Sequence, residues 1–210
     1  MQLVPLFPLQ IVVFPFEDLN LHIFEPRYRE LVHDCREGDL LFGIPYFQDE
    51  HPMQYGTMVR LERIAKTYPD GKMDVVAKGV KPFEIQRYRK TYPEKLYPGG
   101  YVTDLYWEQE GDSLLRIAIR ERLSGLYEHM NIQKWPDKFD EEFITFEIAH
   151  KVGLSQEQEY AFLQIVSEVE RQQYIIDHLD RMVPMIKEAE DMRKKVQMNG
   201  HFKHILPPKV

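Results

Sequence analysis

The hydrophobic pattern of this chain changes period once, near residue 109, and that change restricts the fold more than any other feature. Before it, short apolar runs are separated by turn-forming residues: "LQIVVF", "LNLHIF", "LLFGI", "TMVRLERI", "MDVVAKGV", "FEIQRY" and "GYVTDLYW". Seven candidate strands at such spacing predict a sandwich or barrel. In "YPDGK" (68–72), Pro69 presets φ, Asp70 can bond nearby backbone and Gly71 tolerates positive φ, so a hairpin is expected there. "PGG" (98–100) predicts a further turn. The N-terminal "MQLVPLFPLQIVVFPF" is apolar, but no basic residue precedes Arg27, and Pro5, Pro8 and Pro15 oppose the helix of a signal peptide or membrane span. It reads as buried β structure.

After "EQEGD" (108–112) the period becomes helical. Leu115, Ile119, Leu123, Leu126 and Met130 recur at helical steps and form one apolar face. "DEEFITFEIAHKVG" predicts a short helix stopped by Gly153. Ser155 and Gln158 form a capping box, and Ser167 with Glu170 repeats the device. In the last helix Ile175, Leu179, Met182, Ile186, Ala189 and Val196 fall on steps of four and three, with Arg193 at the skipped position, which makes a heptad seam. Pro184 predicts a kink within it and Asn199-Gly200 a stop after it. The seam suits packing inside a helical bundle, with a homodimer as the alternative. The expected class is α+β: a β domain over 1–110, a helical domain over 111–200 and a tail over 201–210.

Chemistry is sparse in these residues. No GxxxxGK[ST] or GxGxxG segment offers a phosphate cradle, and no HExxH or CxxC offers metal ligands. His201 and His204 in "HFKH" follow the Asn-Gly stop and precede two prolines, so no metal site is expected. Of the four serines, Ser113, Ser155 and Ser167 stand at expected helix starts, where capping explains them, and Ser124 has no GxSxG elbow around it. Cys35, the one cysteine, falls on the apolar side of its helix and reads as a small buried hydrophobe. Glu141-Glu142 reads as a solvated helix start. No catalytic residue and no cofactor are predicted. A single cysteine suits a reducing interior, so the cytoplasm is expected, with no membrane association.

A net charge of −7 argues against a dedicated phosphate-backbone binder. Locally, however, ten Lys/Arg stand against five Asp/Glu over residues 60–95, and "RYRKTYPEK" interleaves base with aromatic. Arg87, Arg89 and Lys90 are therefore the candidates if a nucleic acid strand is the ligand.

In "LNLHIFEPRYREL" (19–31), Leu19, Leu21 and Ile23 alternate as on a half-buried strand, and Pro26 suits the first position of a helix. Tyr28, Leu31, Val32 and Cys35 then make a core-facing stripe. Glu25, Pro26, Arg27, Tyr28 and Arg29 thus form a structural strand-to-helix corner, with Glu25 and Arg29 one turn apart as an expected ion pair.

These residues carry a family resemblance. "PLFPLQIVVFP" (5–15) followed by "LHIFEPRYREL" (21–31) resembles the opening of the N-terminal substrate-binding domain of Lon proteases. The likeness continues through "FGIP" (42–45), "VRLERI" (59–64) and "AKGVKPFEI" (77–85). Asn20 and Phe16 depart from it, standing where the family often has proline and glycine. The resemblance implies a PUA-like β-barrel carrying the corner helix, followed by an all-α bundle. It also implies a chain similar to free-standing bacterial Lon-domain proteins, without the ATPase and serine-lysine peptidase modules.

The leading expectation is a non-enzymatic module that binds unfolded or exposed polypeptide segments, or a partner protein. It would use an apolar groove or an exposed sheet edge. Phe16, Tyr46 and Phe47, in expected loops, are its candidate exposed aromatics. The alternatives are an RNA-binding PUA-like protein and, on the family's name alone, an ATP-independent peptidase.

Overall fold

The computed structural model describes residues 1–130 and 142–200. In chain order its elements are β1 (Gln2–Pro5), β2 (Asp18–Ile23), α1 (Pro26–Gly38), β3 (Phe42–Gln48), β4 (His51–Thr67), β5 (Met73–Arg89), β6 (Gly99–Asp104), α2 (Ser113–His129), α3 (Gln156–Leu163) and α4 (Glu168–Gly200). Two 3₁₀ turns, Thr145–Glu147 and Ala149–Lys151, precede α3. The fold is mixed α/β, with a mostly antiparallel six-stranded sheet. Two compact units result: Met1–Gly111 with Phe143–Arg171, and Asp112–Glu142 with Gln172–Val210.

In the first unit the strand order is β1-β6-β5-β4-β3, with β2 paired to β5 beside this path. Parallel bridges from Leu6 to Gly43 and from Leu9 to Tyr46 link the segment after β1 to β3. The hairpin at 68–72 forms as its residues predict: the Tyr68 N–H donates to the Lys72 carbonyl at 2.8 Å and Gly71 adopts φ +81°.

Three strand expectations change. "MDVVAKGV" and "FEIQRY" fuse into the single strand β5: a bulge at Val80 in β5 and two in the facing β4, at Glu62 and Ala65, let the pair bend without breaking. "LQIVVF" is not a strand: Val12, Val13 and Phe14 are buried, but between Pro8 and Pro15 only Leu9 bridges another strand. Gly99 and Gly100 are ladder residues of β6 paired with Pro5 and Val4, not a turn; a Cβ on Gly100 would meet the Leu6 side chain at 2.8 Å.

Residues 143–171 are organised around one buried cation. The Arg171 side chain is 0% exposed. Its guanidinium donates to Glu168 at 2.8 and 3.0 Å, to the Thr145 hydroxyl at 3.2 Å, and to the carbonyls of Ile165 at 2.5 Å and Val166 at 2.9 Å. It also donates to the Glu108 carbonyl, beyond β6, and lies 4.3 Å from the Phe146 ring centre. Glu168 in turn accepts from the Thr145 N–H and hydroxyl, both at 2.8 Å. Burial pushes the Glu168 carboxyl upward and the Arg171 guanidinium downward, so each ion depends on the other to stay charged.

"DEEFITFEIAHKVG" becomes the two 3₁₀ turns rather than an α-helix, with Gly153 at φ +77° as the stop. Its first residues, Glu141 among them, lie outside the described residues. The Ser155–Gln158 capping box is present at α3. His150, on the second turn, bonds Glu159 at 2.7 Å and Glu17 at 3.1 Å.

In the second unit Asp112, not Ser113, caps α2 by accepting from the Leu114 and Leu115 N–H groups. Ser113 is already the first helical residue, and the Asp112 carboxylate before it stands at the position from which a side chain reaches the free amides. Ile119, Leu123 and Leu126 of α2 are buried, as are Ile175, Ile176 and Leu179 of α4. Arg122 grips Asp180 through two hydrogen bonds of 2.6 and 3.1 Å, and Gln172 bonds both backbone groups of Asp112. Helix α4 is continuous through Pro184. Its seam is buried only to Leu179; Val196 is 66% exposed. His201, His204 and the tail lie outside the described residues.

Two outcomes follow from the first unit. Arg171→Met should destabilise the protein by about 3–5 kcal/mol, because it strands a buried carboxylate. Adding Glu168→Leu should recover much of that loss, and urea denaturation of the four proteins in this cycle measures the recovery. The second outcome concerns pH. Burial acts against the charged His150 ring, but hydrogen bonds and charge from Glu17 and Glu159 override it and push its pKa up to about 9 from an ordinary 6.5. With the folded value raised, this contribution is complete below about pH 6.5 and is lost as pH rises through about 9. Thermal melts should therefore show wild type losing more stability between pH 6.5 and 9 than His150→Gln does.

Candidate functional site: an apolar cleft beside the strand-to-helix corner

The corner folds as its residue pattern predicts. Leu19 and Ile23 are buried, Asn20 and His22 are exposed, and Pro26 opens α1. Tyr28, Leu31, Val32 and Cys35 are the buried residues of that helix. Burial also pushes the Cys35 thiol up to about 12, which keeps it protonated and inert. The ion pair differs from expectation. Glu25 accepts from Arg27 at 2.9 and 2.8 Å, while Arg29 reaches across to the Asp70 carbonyl at 3.0 Å. That bond ties α1 to the β4–β5 hairpin and leaves Arg27 as the partner for Glu25.

The corner also forms one wall of an open cleft of about 730 Å³. From β2 and the corner come Leu21, His22, Ile23, Phe24, Glu25, Arg27 and Tyr28. The segment after β1 contributes Phe7, Pro8 and Leu9, and the β3–β4 hairpin contributes Phe47, Glu50, His51 and Pro52. Tyr88, Lys90 and Pro98 complete the lining. The buried rings of Phe7 and Tyr28 lie 4.1 Å apart between centres. Phe24 and Tyr88 stand at the surface, 58% and 38% exposed. Burial raises the Tyr28 hydroxyl to about 12, with the Arg27 charge opposing, so this polar group stays neutral.

Neighbouring contacts hold the rim. Lys95 bonds Asp34 at 2.9 Å, the Tyr97 hydroxyl donates to Asp34 at 2.7 Å, and the Leu96 N–H donates to Glu30 at 2.9 Å. Together they fasten the loop between β5 and β6 to α1, which fixes Lys90 and Pro98 beside the cleft. Although burial acts against its charged form, hydrogen bonds from Lys95 and Tyr97 hold the Asp34 carboxyl below the usual range. Asp49 and Glu50 form the two-residue turn of the β3–β4 hairpin with φ of 50° and 63°, a backbone that non-glycine residues rarely adopt.

The residues singled out from sequence are dispersed. Phe47 lines the cleft. Tyr46 does not: it lies within β3, not in a loop, is 5% exposed, and packs against Tyr160 at 5.4 Å between ring centres. The β3–β4 ladder shifts register between Pro45 and Phe47, where the two aromatics part. Phe16 is half-exposed at φ 70° and lies against Trp107. Strand alternation splits "RYRK": Tyr88 and Lys90 line the cleft, while Arg87 and Arg89 are exposed elsewhere on β5. Of the ten basic residues over 60–95, Lys72, Lys78, Lys81 and Lys95 pair with Asp70, Asp18, Asp104 and Asp34.

Sequence reasoning missed Phe7, Leu9, Leu21, Phe24 and Tyr88 as site residues. Phe24 carried a signal, an aromatic at the end of a strand just before a helix-opening proline. Among the described residues no group of three or more His, Cys, Asp or Glu side chains is placed to hold a metal ion. No described helix is long and apolar enough to cross a membrane.

Residues 3–188 match the family described as the ATP-dependent protease La (LON) substrate-binding domain. The chain belongs to that family. Among solved structures it is similar to the Lon N-terminal domain protein from Xanthomonas campestris, at 25% identity and a TM-score of 0.65, covering 84% of this chain and 98% of that one. It also shares its fold with the N-terminal domain of the Mycobacterium avium complex Lon protease, at 14% identity and a TM-score of 0.63, covering 85% and 98% of the two chains. The cleft therefore lies in a Lon-type substrate-binding domain, formed in part by the corner that carried the resemblance.

Proposed function

We propose that this chain is a non-enzymatic recognition module that binds unfolded or exposed apolar polypeptide segments through the cleft beside the corner. The observation that carries this reading is an open, mostly apolar cleft of about 730 Å³ in a Lon-type substrate-binding domain. Exposed Phe24 and Tyr88 and buried Phe7 and Tyr28 provide its aromatic area. The parallel bridges that tie the segment after β1 back to β3 support the PUA-like barrel within this reading, with residues 1–110 as the recognition domain and residues 111–200 as a helical domain. The cytoplasm, where unfolded chains arise, is the proposed setting.

The test is a fluorescence-anisotropy titration of the full chain with a labelled unfolded polypeptide, its folded counterpart and a short RNA. The unfolded polypeptide should bind preferentially, and Phe24→Glu with Tyr88→Glu should weaken it about tenfold or more, a loss of about 1.4 kcal/mol. Preference for RNA, with steep salt dependence and loss on replacing Arg87, Arg89 and Lys90, would overturn the reading.

A further inference from the structure

The lining of the cleft is consecutive where a sheet face would make it alternate. Leu21, His22, Ile23 and Phe24 all border it. Neighbouring strand residues project to opposite faces, so a space bordered by four in succession runs along the strand's edge rather than over one face.

That edge is unpaired. β2 hydrogen-bonds to β5 and to no other strand. Among the described residues no other backbone or side-chain group bonds the backbone of residues 18–24. Every second N–H and C=O of the strand therefore has no protein partner, and such a row is a template for another extended chain. Several of the devices that blunt an edge are missing here. Residues 18–24 include no proline and no lysine. The β2–β5 ladder runs through six residue pairs without a bulge, whereas the β3–β4, β4–β5 and β5–β6 ladders all shift register.

The other walls offer few backbone donors. Pro8, Pro52 and Pro98 border the cleft and have no N–H to offer. The N–H groups of Phe7 and Leu9 are already spent on the Gly43 and Pro45 carbonyls. Backbone recognition is thus concentrated on β2, and the remaining walls contribute the Phe7, Leu9, Tyr28 and Phe47 side chains among others.

We propose, resting on the polypeptide-binding reading above, that the occupant is an extended segment with apolar residues at alternate positions, bound as an added strand on the free edge of β2. A segment of six residues spans about 20 Å, the length of that edge. One set of its side chains enters the cleft against Phe7, Leu9, Tyr28 and Phe47, and the other set faces away. Backbone hydrogen bonds supply sequence-tolerant affinity, and the apolar alternation supplies selectivity. This occupant has the chemistry of a strand that has lost its own sheet, so the module would favour β-forming segments of an unfolded chain over helical ones.

The experiment uses the full chain and a labelled nine-residue peptide alternating leucine with serine, together with two versions N-methylated at all the leucine amides or at all the serine amides. In an added strand only one set of amides faces β2, so one version should lose tenfold or more in affinity while the other binds like the parent. Amide hydrogen exchange gives a second readout: alternate N–H groups of residues 18–24 should exchange freely in the unbound protein and slow at least tenfold with the parent peptide bound. Equal affinities for the two methylated versions would overturn strand addition while leaving polypeptide binding intact. Failure of the parent peptide where an unfolded polypeptide still binds would also overturn it. Failure of both ligands would overturn the two readings together.

Discussion

The buried Arg171–Glu168 pair is the contact on which the rest of the first unit depends. A guanidinium with no exposure must satisfy its donors inside the protein, and Arg171 does so by collecting carbonyls from residues 108, 165 and 166 along with Glu168 and Thr145. These groups come from three separate stretches of chain, and only one arrangement of those stretches brings them to the cation. The pair's net contribution to stability is smaller than its geometry suggests, because both ions were taken out of water. Its consequence is local order: the pair gathers Thr145 and the 165–166 carbonyls around the start of α4, and its bond to the Glu108 carbonyl joins them to the chain beyond β6.

With that segment in place, the sheet is supported from one side and its opposite features become available. Tyr46 turns toward Tyr160 of α3, and the neighbouring Phe47 lines the cleft. The corner residues show the same double use. Tyr28 belongs to the core stripe of α1 and also to the cleft wall, and Arg27 closes an ion pair while bordering the same space. The turn that buries the stripe therefore also shapes the cleft.

Local order in the sequence was legible where one pattern governed. The alternation of Leu19 to Ile23, the stripe of Tyr28, Leu31, Val32 and Cys35, the 68–72 hairpin and the Ser155 cap each depend on neighbours within a few residues. What escaped depended on distance. β1 is four residues long and has no alternation to display, and bulges rather than turn residues decide that β5 continues through Pro82. The cleft collects residues from positions 7 to 98, so no window of sequence could contain it. The heptad seam of α4 was readable as a pattern, but burial of only its first part is a tertiary fact that spacing cannot express.

A recognition module of this kind should meet its ligand at one place on its surface. Photo-crosslinking tests this most directly: a benzophenone side chain at position 24, in the mouth of the cleft, is compared with one at position 106, where Tyr106 is 72% exposed and outside the lining. The account predicts capture of an unfolded polypeptide from position 24 and little from position 106. Equal capture from both, or capture from position 106 alone, would contradict it.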